Sequence, residues 1–240
     1  SSDPVAATTW YIKAADAGIK EARVNAAYLL EDLEAYERAM RQYRIIARTG
    51  SWAALRRMAH FYREGKGCRK DLSKAADFLE QAAKAGDPVA QVKIADCYQS
   101  GTGRPQNYRR MMTWLRHAAR SGNTEAQAKL GFCYSHGVGV PRSHRKAVQW
   151  FRTSAESGNR IAQLALANCY KKGQGVKQSY EKAFAWFSSA ANQGDSRAQF
   201  SMGVAYSLGQ GTEKNLQQAL SSFKKAALNG YAKAQYNLAR

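Results

Sequence analysis

The chain has 240 residues, of which 45% are hydrophobic, and 37 Lys and Arg against 18 Asp and Glu give it a net charge of +19. The hydrophobic fraction is normal for a protein with a buried core, and no stretch approaches the ~20 consecutive apolar residues that cross a bilayer. Residues 1–37 are acidic, with a net charge of −4, whereas the remainder is strongly basic. Such an excess attracts polyanions without specifying which one.

The N-terminal region predicts an incomplete pair of helices followed by an atypical pair. Trp10, Tyr11, Ala14 and Ala15 form an apolar helical pattern in residues 1–18, which predicts the second helix of a partial repeat. Residues 19–50 form a shorter unit that lacks the paired turn glycines found later in the chain, and its turn is predicted at Glu31–Glu34. The sequence leaves open whether this short unit is a hinge, a cap or a docking edge.

From residue 51 onward the sequence repeats with a period of 36. Three features keep one register: a glycine, an alanine four residues after it, and a Gly-x-Gly sequence. They occur at Gly50, Gly86, Gly122, Gly158, Gly194 and Gly230; at Ala54, Ala90, Ala126, Ala162, Ala198 and Ala234; and at Gly65/Gly67, Gly101/Gly103, Gly137/Gly139, Gly173/Gly175 and Gly209/Gly211. A fixed period of this length indicates a repeat architecture. The predicted repeats are 51–86, 87–122, 123–158, 159–194 and 195–230.

Each repeat predicts two helices. The first begins after an N-cap at Ser51, Asp87, Asn123, Asn159 or Asp195, and the second after one at Asp71, Asn107, Ser143, Ser179 or Asn215. The Gly-x-Gly between them supplies the positive-φ positions at which the chain turns back. Since one pair of helices cannot bury both of its faces, neighbouring repeats must stack. The predicted fold is therefore an all-α solenoid.

The end of the chain, residues 231–240, predicts the first helix of a truncated repeat. A complete solenoid normally ends in polar capping units, and neither end has that character. We therefore expect a fragment of a longer protein, or a protein whose ends pack against something else.

Catalytic and metal sites find little support in the sequence. The histidines (His60, His117, His136 and His144) are scattered over three repeats. Cys133 and His136 form a C-x-x-H, but Cys133 shares its repeat position with apolar residues, where cysteine commonly packs as a small hydrophobe. The cysteines show no pairing typical of a disulfide framework. The prediction is no catalytic residue, no metal and no cofactor.

Residues 126–140, AQAKLGFCYSHGVGV, followed by Lys146-Ala147-Val148-Gln149-Trp150, closely resemble the motif of the Sel-1-like repeats, relatives of the tetratricopeptide repeats. This resemblance covers about residues 10–240. It implies a right-handed α-α superhelix and a non-enzymatic adaptor that binds a partner protein or peptide. It also implies a bacterial envelope, secretion or host-interaction assembly, with the protein in the periplasm, in the cell envelope or exported.

The same resemblance implies that the first helices line a concave groove. Two groove-facing positions per repeat then carry varied chemistry, with exposed aromatics beside polar groups, as a peptide-binding groove requires. The predicted groove residues are Arg56, His60, Asp96, Phe132, Asn168, Phe200 and Tyr236. The alternative is that some of these side chains pack against the next repeat.

A basic ridge at the start of the second helices offers a different hypothesis. It comprises Arg104, Arg109, Arg110, Arg142, Arg145 and Lys146. Arginines around a helix start suit an anion, so the alternative partner is an anionic polysaccharide, a nucleic acid or a phospholipid head group. Stacking on nucleic-acid bases is not expected, because Trp114, Trp150 and Trp186 occupy predicted core positions. A solvated basic face is the simpler interpretation.

Overall fold

The computed structural model describes residues 3–238. Within that range the chain forms fourteen α-helices and no β-strand. Their bounds are α1 Pro4–Asp16, α2 Lys20–Asp32, α3 Tyr36–Ala47, α4 Trp52–Glu64, α5 Leu72–Lys84, α6 Pro88–Ser100, α7 Tyr108–Arg120, α8 Thr124–His136, α9 His144–Glu156, α10 Arg160–Lys172, α11 Tyr180–Asn192, α12 Ser196–Leu208, α13 Leu216–Leu228 and α14 Ala232–Leu238. The predicted all-α class is confirmed. Residues 1–2 and 239–240, which belong to the predicted terminal repeats, lie outside the described range.

The helices divide into two compact units at Ser121/Gly122, within one residue of a predicted repeat boundary. The first unit contains α1–α7 and the second contains α8–α14. Inside each unit, every helix packs against its neighbours in the chain. The even-numbered helices are the first helices of the pairs, and the odd-numbered helices are the second helices. None of the described helices is both long and apolar enough to span a membrane.

The predicted caps are confirmed at the start of both helices in each repeat. Asn123, for example, accepts a hydrogen bond from the Ala126 amide at 2.9 Å, and Asp71 accepts one from the Lys74 amide at the same distance. Asp87 and Asp195 are buried, and each carboxylate accepts from two amides at the start of its helix. These bonds satisfy backbone donors that a helix start would otherwise leave without partners.

The two glycines of each Gly-x-Gly have different structural roles. Gly173 ends α10 in the left-handed conformation, at φ 68°. Gly175 has φ 76°, and a Cβ there would overlap the backbone of His144 at the start of α9. The first glycine therefore stops the helix. The second lets the turn lie directly against the preceding second helix.

In three of the second helices, the buried residue is the one that directly follows the tryptophan. Trp114, Trp150 and Trp186 are only half-buried, whereas the residues that follow them, Leu115, Phe151 and Phe187, are buried. The prediction that these tryptophans occupy the core holds only in part, since they are half-buried and Trp186 packs against the edge of a buried cluster. Each residue advances about 100° around a helix, so the following side chain, not the tryptophan, points at the first helix.

A column of glutamines joins consecutive helix pairs. Gln91, Gln163 and Gln199 are buried in α6, α10 and α12, and each donates its side-chain amide to a backbone carbonyl eight residues earlier, near the end of the preceding second helix. In two of them the side-chain oxygen also accepts a hydrogen bond, from Gln193 at 2.9 Å and from Asn229 at 3.0 Å. The sequence shows this column as a glutamine after five of the six repeated alanines, all except Ala54, a signal that the apolar pattern did not single out.

The atypical pair in the first unit turns without glycine. Helix α2 continues through Glu31 and Asp32, and the turn comprises Leu33–Ala35, with Glu34 at φ 56°. The predicted turn at Glu31–Glu34 was therefore placed two residues too early. Glu31 instead lies within the helix, 3.4 Å from the Arg57 guanidinium.

Candidate functional site on the first-helix face

The first-helix face is defined here as the exposed side chains of the even-numbered helices. Within the second unit, two of the predicted groove residues, Phe132 of α8 and Asn168 of α10, line one cavity of about 530 Å³. We call it the Phe132 cavity. Its other lining residues are Ser135, His136, Arg142, His144, Phe151, Ala165, Cys169, Lys172 and Gln174. It lies between two consecutive first helices and the turn that follows the first of them.

Phe132 is presented to this cavity by the packing beneath it. Its ring meets the buried Phe151 ring edge-to-face at a centroid distance of 5.0 Å, and 38% of the residue is exposed. The neighbouring Gly131 makes room for this arrangement, because a Cβ there would overlap the Phe151 ring. An aromatic side chain held on one side and exposed on the other is a suitable apolar anchor for a ligand.

The polar lining of the cavity supplies mainly hydrogen-bond donors and positive charge. Arg142 Nη2 lies 2.9 Å from His144 Nε2; because guanidinium can only donate, that ring nitrogen accepts. His136 Nδ1 lies 2.7 Å from Ser135 Oγ and 3.1 Å from the Phe132 carbonyl oxygen. Lys172 adds a second permanent cation, and none of the described lining residues is a carboxylate. The site therefore favours a ligand that combines an apolar group with an anionic one.

Neither catalysis nor metal binding is favoured by this arrangement. Burial raises the pKa of the Cys169 thiol, partly opposed by Lys172, so the thiolate is disfavoured. Burial likewise raises the pKa of Cys133, the cysteine of the C-x-x-H. Among residues 3–238, no cluster of His, Cys, Asp or Glu has the size needed to hold a metal ion.

In the first unit, the predicted groove residues Arg56 and His60 of α4 line another cavity, of about 300 Å³. We call it the Arg56 cavity. Arg63 Nη2 lies 3.3 Å from His60 Nδ1, and burial followed by the charge of Arg63 lowers the pKa of His60. Asp96, also predicted for the groove, is half-buried on α6 and lines neither this cavity nor the smaller one beside it.

The remaining predicted groove positions are occupied by packing or lie apart from the cavities. Phe200 is half-buried, with its ring 5.2 Å from Phe223 and 5.1 Å from Tyr231. Tyr236 is 63% exposed on α14 and lines neither cavity. At the position equivalent to Arg56, Val92, Ala128 and Leu164 are buried. The alternative interpretation, that these side chains pack against the next repeat, therefore applies to some of the predicted groove positions.

The basic ridge is not gathered into one site within either unit. Arg104 contacts Asp77 and lies 3.6 Å from Glu80. Lys74, Arg110, Lys146 and Lys182 each lie over a tyrosine of their own repeat, at 5.5 to 5.7 Å from the ring centroid. In each of these cation–π contacts, the charged group lies against a tyrosine ring of its own chain. Arg109 and Arg145 are exposed, while Arg142 points into the Phe132 cavity. The polyanion alternative therefore gains no support.

Several lining residues were missed by the sequence interpretation. In the Phe132 cavity these include Ser135, His136 and Lys172, and in the Arg56 cavity they include Tyr28, Arg57 and Lys93. The polar residues occupy different positions in each repeat, so no repeating column signals them. Only the basic charge of the first helices could have drawn attention to Arg57 and Lys93.

The repeat unit itself identifies the family. A family model described as Sel1 repeat matches residues 1–19, 52–87, 88–123, 124–159, 160–195 and 196–231, which leaves out most of the atypical pair. The chain belongs to the Sel1 repeat family. Sel1 repeat proteins form a non-catalytic scaffold family whose members generally mediate protein–protein interactions.

Solved structures of other Sel1 repeat proteins resemble this chain over most of its length. One is c5321, a protective antigen present in uropathogenic Escherichia coli strains, at 33% identity and a TM-score of 0.90, covering 99% of this chain and 52% of that chain. Another is a Sel1 repeat protein from Oxalobacter formigenes, at 32% identity and a TM-score of 0.80. The match covers 88% of this chain and 86% of that chain. The chain thus spans about half the length of the E. coli antigen. These likenesses confirm the predicted Sel1-like solenoid fold.

A more distant likeness concerns the fold alone. The immunity protein Pa5087 from Pseudomonas aeruginosa is 19% identical, with a TM-score of 0.50, and the match covers 82% of this chain and 75% of that one. No curated protein matches the chain.

Proposed function

We propose that this Sel1 repeat chain is a non-enzymatic scaffold that binds a peptide segment of a partner protein at the Phe132 cavity. The observation that carries the proposal is the exposed face of Phe132 beside the donors Arg142, Asn168 and Lys172 in one cavity of about 530 Å³. Peptide-binding grooves combine an apolar anchor site with a few polar groups that fix orientation. The family's general role in protein–protein interaction agrees with this assignment.

The lining chemistry defines the peptide that fits best. An aromatic or aliphatic side chain would pack on Phe132, and an adjacent carboxylate would accept hydrogen bonds from Arg142 and Lys172. The guanidinium of Arg142 already contacts His144, so it is partly ordered before the ligand arrives. Pre-ordered donors reduce the entropy lost on binding.

We place this binding activity in a bacterial envelope, secretion or host-interaction assembly. The similar chains of known structure are bacterial, and one of them is described as a protective antigen of uropathogenic strains. The basic net charge of +19 suits an acidic partner.

Selection from a random peptide library tests the function. We expect the wild-type chain to enrich peptides in which an aromatic or large aliphatic residue adjoins Asp or Glu. Phe132→Ala should weaken binding of the enriched peptides about tenfold, equivalent to about 1.4 kcal/mol. Lys172→Glu should weaken it by a similar factor, because it places a negative charge beside the carboxylate.

Ile161→Ala is the matched control, since Ile161 is an exposed apolar residue of α10 outside the cavity. Its affinity should equal that of the wild type. Equal affinity of the Phe132→Ala and wild-type chains for every enriched peptide would refute the Phe132 cavity as the binding site. Circular dichroism and thermal unfolding of each variant establish that the fold is retained.

A further inference from the structure

The Arg56 cavity of the first unit has a composition unlike that of the Phe132 cavity. It is lined by Tyr28 of α2, by Ala53, Arg56, Arg57 and His60 of α4, and by Lys93 of α6. Three consecutive first helices contribute to it. Among the described residues that line it, Ala53 is the only small apolar one and none is a carboxylate. A cavity with this lining is suited to recognise negative charge rather than apolar surface.

The two arginines are each held in place by a carboxylate and an aromatic ring. Arg56 Nε lies 3.1 Å from the buried carboxylate of Asp87, and its guanidinium lies over the Trp52 ring at 5.2 Å. Arg57 Nη1 lies 3.4 Å from Glu31, and its guanidinium lies over the Tyr28 ring at 5.6 Å. A guanidinium has five N–H donors, and one carboxylate uses at most two of them. Both arginines therefore keep donors for a ligand.

Lys93 and His60 complete the set of donors. Lys93 is exposed and forms no ion pair within the described part of the chain. Because the Arg63 guanidinium can only donate to His60 Nδ1, the proton of the neutral His60 ring resides on Nε2, which can donate in turn. Lys93, His60 and Arg56 also line an adjoining smaller cavity, together with Arg63. The donors thus continue along the same helix face.

The charges around the cavity leave an excess of positive charge. Glu31 and Asp87 are the carboxylates that contact Arg57 and Arg56, and Glu64 lies 2.8 Å from Arg63. Lys93 has no such counter-charge. An ion-paired arginine that is already ordered loses little conformational entropy when a second carboxylate binds.

We propose that the Arg56 cavity is a second recognition site, which binds Asp or Glu side chains of an acidic segment in a partner protein. A volume of about 300 Å³ accommodates one or two such side chains rather than an extended polymer. A nucleic acid fits less well, because Arg56 already covers a face of the neighbouring Trp52 and hinders a base from stacking there. This inference goes beyond the proposed function and does not depend on the Phe132 cavity.

Titration calorimetry of the full chain with two capped ten-residue peptides tests the inference. The probes are a Gly-Glu repeat and its uncharged counterpart, a Gly-Gln repeat. We expect the Gly-Glu peptide to bind and the Gly-Gln peptide not to bind. Lys93→Glu should weaken binding about tenfold and Lys93→Gln by a smaller factor, since the first replaces attraction with repulsion and the second only removes the attraction. Lys93 is exposed, so both variants should fold.

Lys70→Glu is the matched control, because Lys70 is an exposed lysine of the same unit that lines neither cavity. It should keep the wild-type affinity to within about twofold, and so should Phe132→Ala, which separates this site from the Phe132 cavity. Equal weakening by Lys70→Glu and Lys93→Glu would overturn the proposal, because it would show a general charge effect. Tighter binding of a single-stranded oligonucleotide of equal charge would overturn the assignment to a protein partner.

Discussion

At the scale of single residues, the cysteines show how burial controls reactivity. Cys97, Cys133 and Cys169 occupy one position of successive first helices, and all are free thiols. Burial raises the pKa of each above the ordinary value. Because the thiolate is the reactive form, a raised pKa and restricted access both slow attack on a disulfide reagent.

We expect these three thiols to react with Ellman's reagent at pH 8 at least about tenfold more slowly in the folded chain than in guanidinium chloride. The absorbance of the released thiolate measures the rates. Cys133→Ser should remove one slow equivalent and leave the others unchanged. Four thiols that react equally fast in both states would contradict the burial of this column.

Packing residues could be predicted from the sequence far better than binding residues. Helix caps such as Asn123 and Asp71, and the turn glycines, recur every 36 residues because each repeat has the same backbone. Their positions can therefore be predicted from the repeat pattern. Lys172, at the end of α10, and Arg142, before α9, meet in one cavity only because of how the turn lies against the next first helix. No sequence position that repeats every 36 residues indicates such a pair. The tryptophans were misplaced by one residue, since a half-buried and a buried aromatic look alike in sequence.

At the scale of helices, comparison along the glutamine column explains why the side-chain oxygen of Gln91 has no hydrogen-bond donor among the described residues. In α10 and α12 the glutamine oxygen accepts a hydrogen bond from the C-cap residue of the following second helix, which is Gln193 of α11 or Asn229 of α13. The equivalent cap in α7 is Ser121, which is too short, and the buried Gln91 Oε1 has no hydrogen-bond partner among the described residues. A buried acceptor without a donor costs free energy.

We therefore expect Ser121→Gln to raise the free energy of unfolding by about 0.5–1.5 kcal/mol. Ser121 and Gln193 have similar backbone angles, φ −80° and −87° with ψ 11° in both, so the longer side chain can be accommodated. Urea unfolding followed by circular dichroism measures the change. Ser121→Leu, similar in size but without a donor, should show no such gain, and an equal gain would reject the hydrogen-bond explanation.

At the scale of the whole molecule, the net charge of +19 contributes affinity without selectivity. Of the six ridge cations, Arg110 and Lys146 lie over tyrosines and Arg104 pairs with carboxylates, which leaves Arg109, Arg142 and Arg145 to contact phosphates. Binding to nucleic acid should then be purely electrostatic, and such binding falls steeply with salt.

We expect an unrelated single-stranded oligonucleotide to bind at 20 mM salt and to lose about two orders of magnitude in affinity by 150 mM. Fluorescence anisotropy measures both constants, and a library-selected peptide anchored on Phe132 provides the comparison, because its apolar contact should be much less sensitive to salt. Tight binding of the oligonucleotide at 150 mM would favour the polyanion function over the scaffold.

The glutamine that reaches back eight residues also permits recombination between repeats. If residues 160–195 were deleted, Gln199 would stand eight positions after Ala155, which now accepts from Gln163, and Asn159 would replace Asp195 as the cap of the joined helix. Donor, acceptor and cap would all be restored at the junction. Unequal crossing-over in steps of 36 residues could therefore lengthen or shorten such a gene, and change the number of cavities, while this buried hydrogen bond is kept at the junction.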